Sequence, residues 1–303
     1  MRYSVFIHTN SKQKLGSLVA AHAIRRYSKF NKFFDVSILN TDSYSLLSQY
    51  EGERYLRRGV KKIWTNKDLQ SFTPLRFLPP ELMNYAGRAL VIDPDVFACV
   101  DIWPLLSSNM NGKAILCRER KNSMKSGIRY ASSVMLLDCS LLKHWKMEAQ
   151  FEALFNGTRD YHHWINLLYE NPDSIGLINK HWNDMDSFSP ATKMLHNTER
   201  LTQPWKTGLT IDWQSGNLMK QKLRTFYHSY LIRQEARYKQ HPDHSQERFF
   251  YSLLKECVDS GMVSKEMLEK EMKSNHIRHD SLNLILQAPI LDAESHPYCQ
   301  MRQ

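Results

Sequence analysis

Apolar positions change from strand spacing to helix spacing and back within the first forty residues. Tyr3–His8 (YSVFIH) is a β-rich run of strand length. Leu15, Leu18, Val19, Ala21, His22 and Ile24 then fall on one helical face, and Phe34–Leu39 (FDVSIL) reads as a second strand. This succession predicts a βαβ unit and a parallel sheet. Arg88–Ile92 (RALVI), Lys113–Cys117 (KAILC) and Ser133–Leu137 (SVMLL) are further strands. The stretch Arg118–Arg129, rich in Lys and Arg with a single Glu, reads as a solvated loop. Thr73-Pro74 opens a helix through Leu75–Leu78 that Pro79-Pro80 interrupts, and Tyr85-Ala86-Gly87 marks a turn. The basic, mixed segment Arg54–Lys67 predicts no element.

After about residue 215 the texture becomes helical. Met219, Leu223, Phe226, Tyr227, Tyr230 and Leu231 form an apolar stripe, opposed by Lys220, Lys222, Arg224, Arg233, Arg237 and Lys239. The spacing predicts an amphipathic helix over 216–240. A second stripe uses Phe250, Leu253, Leu254, Cys257 and Val258, with Asp243 and Gln246 placed to cap it, and a third helix starts at Ser264. The expected division is an α/β domain over 1–215 and a helical extension over 216–303. No repeat period occurs.

Composition narrows the class. In 303 residues, 42% are hydrophobic and 24% charged, which excludes a disordered chain. The most apolar stretch, 89–106, carries three Asp, so it predicts no membrane span. The apolar run at the N-terminus is too short for a secretion signal, and five Cys without a CxxC suggest reduced thiols. Together these predict a cytoplasmic protein. Forty-one Lys and Arg against 31 Asp and Glu give a net charge of +10, which favours anionic partners. No helix-turn-helix, zinc-finger or RNP-type pattern accompanies that charge, so nucleic acid is not the expected partner.

The strongest chemical signal is Asp93-Pro94-Asp95 after the strand Arg88–Ile92. Alternate residues of an extended chain point the same way, so two carboxylates can converge on one hard divalent cation, and the central proline limits their motion. Open α/β sheets bind ligands at this end of their strands. The competing reading is a solvated acidic turn. His196, followed closely by Gln203-Pro204-Trp205-Lys206, is a second ligand candidate, because imidazole suits Mn²⁺. The pair His162-His163 reads as structure or acceptor contact, and Trp182-Asn183 as part of the site wall.

Five pieces along residues 3–210 carry a resemblance: VFIHTN, LRFLPPELMNYAGRALVIDPDV, SSVMLLDCSLLKHW, IGLINKHWNDMD and MLHNTERLTQPW. In this order they resemble glycosyltransferase family 8, with its glycogenin-like and bacterial lipooligosaccharide galactosyltransferase-like members. The resemblance implies an α/β GT-A fold, Rossmann-like, with a mostly parallel central sheet flanked by helices, followed here by the helical extension. It implies transfer from a nucleotide-diphosphate sugar, UDP-linked, with retention of anomeric configuration and a Mn²⁺ or Mg²⁺ ion bridging the diphosphate. Asp93, Asp95 and His196 would hold that metal. Arg76 matches the family arginine that reaches the donor, and Asp160 stands near the family's Asp-Gln pair; these two are the catalytic candidates. Thr9 and Asn10 would line the nucleoside, and Ser133, Arg200 and Lys206 would contact the donor.

The sequence also departs from the family pattern. Asn-Ala-Gly reads Ala131-Ser132-Ser133 here, the Gln near Asp160 is absent, and Gln203 stands where Lys is usual. The acceptor implied is a glycan or glycolipid. The basic face of 216–240 reads either as a solvated helix face or as a peripheral contact with an acidic membrane or an acidic acceptor. The alternative reading is an inactive relative that binds nucleotide-sugar or glycan.

Overall fold

The first strand is buried along nearly its whole length, which explains why it reads as a continuous apolar run. In the computed structural model, which describes residues 1–120, 129–212 and 236–302, β1 (Tyr3–Thr9) leads into helix α1 (Lys14–Tyr27) and then β2 (Asp35–Asn40). β1 and β2 pair in parallel, Ser4 opposite Asp35, so the expected βαβ unit is present. Arg54–Lys67, for which the sequence predicts nothing, holds a hairpin of β3 (Arg54–Arg57) and β4 (Val60–Ile63).

The central sheet has the order β2-β1-β5-β8-β7-β9, with β5 Arg88–Ile92, β7 Ile115–Arg120, β8 Arg129–Asp138 and β9 Ile175–Leu177. Only β8 runs against the other strands of this sheet. This is the mostly parallel α/β arrangement expected of a GT-A fold. The supposed loop Arg118–Arg129 is shorter than the sequence suggests: β7 continues to Arg120 and β8 begins at Arg129. The β7–β8 ladder breaks register between Cys117 and Arg118, so Cys117 faces Met135 while Arg118 faces Ala131. Ser132 and Ser133 lie in the skipped stretch.

A second, three-stranded sheet has the order β10-β11-β6, with β6 Val96–Ala98, β10 Asp184–Met185 and β11 Met194–His196. In it His196 stands opposite Val96, the residue after Asp95. The segment around Arg76 also differs from expectation. Thr73–Phe77 is a 3-10 helix, and Pro79-Pro80 begins a short helix, Pro79–Leu82, rather than breaking one. Proline suits the first helical turn, where its missing N–H has no partner to lose. Phe77 stacks on Trp164 at 4.4 Å and anchors this segment to the core.

The molecule forms two units, residues Met1–Ser187 with Ala191–His196, and Phe188–Pro190 with Asn197–Gln303. In the second, the helix His244–Asp259 buries Phe249, Phe250, Leu253, Leu254 and Cys257, and Asp243 caps it through the Ser245 amide. Ser264 caps the next helix, Lys265–Lys273. Of the helix expected over 216–240, residues 216–235 lie outside those described. Residues 236–240 are not helical, and Arg237 bridges to Thr210. No helix among the described residues is long and apolar enough to cross a membrane. Cys99, Cys117, Cys139 and Cys257 are buried as free thiols, and burial pushes Cys117 up to about 12.

Candidate active site

Asp93 and Asp95 follow the C-terminal end of β5 and are both buried. The Asp93 amide donates to the Ser133 carbonyl at 3.0 Å, which extends the β5–β8 ladder into the motif. Helix α1 crosses directly behind it. A Cβ on Gly16 would come within 2.7 Å of the Pro94 carbonyl oxygen, so only glycine lets the helix lie this close to the Asp-Pro-Asp backbone.

Asp93, Asp95 and His196 each offer one ligand atom, all within 4.8 Å of one another. His196 Nδ1 lies 2.8 Å from Asn183 Oδ1, so it carries the proton and donates to that carbonyl oxygen. Nε2 is left with its lone pair, 3.2 Å from Asp95 Oδ1. Two acceptors at that distance need positive charge between them, a proton or a cation. Buried carboxylates and imidazole therefore fit a divalent metal. Asn183 is itself fully buried and donates Nδ2 to Ser133 Oγ at 3.0 Å.

Arg76 meets Asp93 from the other side. Its Nε donates to Oδ1 at 3.0 Å and its Nη2 to Oδ2 at 2.5 Å, while Nη1 donates to Ser132 Oγ at 2.9 Å. His8 Nε2 lies 2.6 Å from Asp93 Oδ1. A contact that short places a proton on Nε2, so Arg76 Nε is directed to the carboxylate rather than to His8. Burial alone would raise the Asp93 pKa; Arg76, then His8, outweigh it and hold the carboxyl well below the usual carboxylate range. Burial pushes His8 below its ordinary value, with Asp93 opposing. A carboxylate offers about four lone-pair positions. His8 and Arg76 take both on Oδ1 and one on Oδ2, which leaves one on Oδ2 for a metal.

The remaining candidates fall into three groups. Thr9 and Asn10 are buried at the end of β1. Asn10 Nδ2 holds the neighbouring loop through the Asp68 and Leu69 carbonyls and Ser71 Oγ, while its buried Oδ1 has no hydrogen-bond partner among the described residues. Ser133 supports Asn183, as described. Asp160 caps the short helix Tyr161–Ile165: Oδ1 accepts from the His162 and His163 amides and Oδ2 from Gly59. That is a structural job for both its oxygens. Arg200 and Lys206 belong to the second unit. Lys206 is fully buried there, with Nζ donating to the Asn275 carbonyl at 3.1 Å and 3.5 Å from Asp212.

Sequence reasoning missed His8, Gly16 and the ligand-orienting role of Asn183, and took Ser132 only as a departure from the family pattern. His8 interrupts an apolar strand and Gly16 interrupts a helical stripe, and those were the available signals.

No protein-family model matches the chain, and no curated protein matches it. Among solved structures, it resembles the galactosyltransferase LgtC in complex with donor and acceptor sugar analogs, with a TM-score of 0.46 and 12% identity, over 67% of this chain and 89% of that one. It resembles GlyE, a glycosyltransferase of Streptococcus pneumoniae TIGR4, with a TM-score of 0.48 and 13% identity, over 86% and 64%. It also resembles mouse xyloside xylosyltransferase 1, with a TM-score of 0.45 and 13% identity, over 66% and 98%. These likenesses carry no residue role into this chain; the roles rest on the geometry above.

Proposed function

We propose that the protein is a metal-dependent glycosyltransferase that moves a sugar from a nucleotide-diphosphate sugar, UDP-linked, to a glycan or glycolipid acceptor with retention of configuration. One observation carries the proposal: Asp93, Asp95 and His196 are buried together, within 4.8 Å, at the C-terminal end of a parallel strand. The ordered motif resemblance supplies the donor class and the stereochemistry. Asp93, Asp95 and His196 would hold Mn²⁺ or Mg²⁺, which when bound neutralises negative charge developing on the leaving diphosphate. Asn183 keeps the His196 lone pair aimed at the ligand position. Arg76 holds Asp93 in the ligand-free protein and can turn its paired N–H groups to a phosphate. The orphaned Oδ1 of Asn10 is suited to accept a hydrogen bond from a nucleoside base.

Hydrolysis of a panel of nucleotide sugars, with Mn²⁺ and with a chelator, tests this reading. At least one donor should turn over with metal and none without it. Asp95→Asn should lose most metal-dependent UDP binding by calorimetry, since a neutral amide is a poorer ligand for a hard cation. Equal UDP affinity with Mn²⁺ and with chelator would count against the site. The use of both Asp160 oxygens in a helix cap favours a second reading, a binding module without turnover. Metal-dependent UDP binding with no hydrolysis of any donor would establish it. The cytoplasmic location and peripheral membrane contact are further parts of this proposal, the latter resting on sequence outside the described residues.

A further inference from the structure

At the far end of the β7–β8 ladder, Arg120 and Arg129 are direct cross-strand partners. Like charges in that position repel and destabilise a sheet. No hydrogen bond or ion pair to either guanidinium is present among the described residues. Arg118, two positions before Arg120, donates to the Asn183 carbonyl and lies 3.9 Å from Asp184, so its charge is partly engaged. The connecting segment 121–128 adds Lys121 and Lys125 and no acid. The row adjoins the candidate active site, since Arg118 binds the carbonyl of Asn183, the residue whose side chain holds His196.

A cleft of about 510 Å³ opens beside this row. Arg118, Arg120 and Lys180 supply cations to its wall, Glu119 is the one acid there, and Leu177, Ile178 and Met185 supply apolar surface. The volume is in the range of small-molecule sites. Apolar side chains suit the C–H face of a sugar ring, and paired guanidiniums suit carboxylate or phosphate.

We propose that Arg118, Arg120 and Lys180 in the wall of this cleft, with Arg129 adding its charge from the next strand, bind the acidic group of the acceptor, so that the acceptor is an anionic saccharide. The proposal rests on the glycosyltransferase reading only in naming the ligand as acceptor; the anion site itself is tested apart from turnover. Facing guanidiniums without a carboxylate partner among the described residues, as at Arg120 and Arg129, are a fault in a purely structural hairpin and an asset in an anion receptor.

The probe is trigalacturonate, with neutral galactotriose as its control, titrated into the full chain at low and at raised salt. Trigalacturonate should bind at least ten-fold more tightly than galactotriose, and salt should erode the difference. Arg120→Gln/Arg129→Gln should remove the preference, and Arg120→Lys should retain part of it. The double variant should melt no lower than the wild type, because it relieves repulsion. UDP with Mn²⁺, titrated on the same samples, reports the donor site separately: failure there overturns the functional reading, while the trigalacturonate result still decides the anion site. Equal binding of the two trisaccharides, a preference that survives the double variant, or a lower melting temperature in that variant would overturn the inference. So would loss of UDP affinity in the double variant, which would assign the row to the donor. A phosphorylated monosaccharide compared with its neutral parent separates phosphate from carboxylate as the preferred group; binding of neither charged probe above its neutral partner counts against the site.

Discussion

Arg76 grips Asp93 with two guanidinium nitrogens, and neither side chain is more than 8% exposed. Such a pair is held by geometry as much as by charge, and removing one partner leaves the other uncompensated in a buried setting, at a cost of about 3–5 kcal/mol. From sequence, Arg76 is expected to matter to donor turnover more than to stability. The structure ties it to stability as well, because it pairs with the buried carboxylate of Asp93, a candidate metal ligand.

Substitution at Arg76 should separate those roles. Arg76→Lys keeps the charge and loses the two-pronged contact. Donor hydrolysis should fall at least about ten-fold while the melting temperature drops only modestly. Arg76→Leu should lower stability by about 3 kcal/mol or more. Full activity in Arg76→Lys, measured by released UDP, would rule out a paired phosphate contact.

Asn183 fixes the protonated nitrogen of His196. Residues that orient metal ligands typically contribute 10–100-fold to metal affinity, so Asn183→Ala should weaken Mn²⁺ binding by about that factor. Asn183→Asp retains an acceptor for Nδ1 and should recover part of it. Nitrogen-15 NMR of labelled histidine supplies the decisive readout: His196 should lose its preference for the Nδ1–H tautomer in the alanine variant. An unchanged tautomer would show that Asn183 does not orient the ring.

Asp160 should act on stability through its cap. Burial opposes ionisation, but amide hydrogen bonds from Gly59, Arg58, His162 and His163 outweigh it and lower the carboxyl below its ordinary value. A depressed folded-state pKa contributes stability above the unfolded carboxylate value, about 3.9, and loses it as pH falls through that value and below. Asp160→Ala should therefore cost about 1–2 kcal/mol at pH 7. The gap to wild type should narrow between about pH 5 and pH 2 in paired thermal melts. A gap independent of pH would mean that the ionised carboxylate is not what caps the helix.

Gly16→Ala places a methyl group against the Pro94 carbonyl, where the nearest approach would be 2.7 Å. Alanine would ordinarily favour a helix by about 1 kcal/mol over glycine. Here the variant should be no more stable than wild type and should bind Mn²⁺ more weakly, because either α1 or the Asp-Pro-Asp loop must move. A stabilised variant with unaltered metal affinity would show that the close approach is immaterial.

The clustering of Asp93, Asp95 and His196 was legible in two parts: Asp93 and Asp95 are separated by one residue after a strand, and His196, about a hundred residues on, was marked by the Pro-Trp segment that follows it. The first strand was legible because burial on both faces leaves a dense apolar run, and α1 because its apolar positions keep helical spacing. The hairpin Arg54–Ile63 was not, because β4 is exposed at both ends: Val60 beside the turn is 52% and Ile63 at the open end 65% accessible, so no core-facing alternation marks it. Asp160 looked like a reactive acid because a sequence shows the carboxylate but not the amides that surround it. His8 escaped notice, and Ser132 counted only as a departure from the family pattern, because each gains its place from Asp93 or Arg76, far away along the chain.

The break in register between β7 and β8 divides one hairpin into two zones with separate obligations. Below it, the pairing of β8 with β5 sets where Asp93 emerges; above it, Arg118–Arg120 and Arg129–Ala131 form a ribbon whose pairing is counted afresh. A change of loop length in the ribbon need not shift the strand that carries the metal ligands. The two zones are therefore separable: another hairpin grafted between Arg118 and Ala131 should leave the β5–β8 register, and with it the position of Asp93, unchanged.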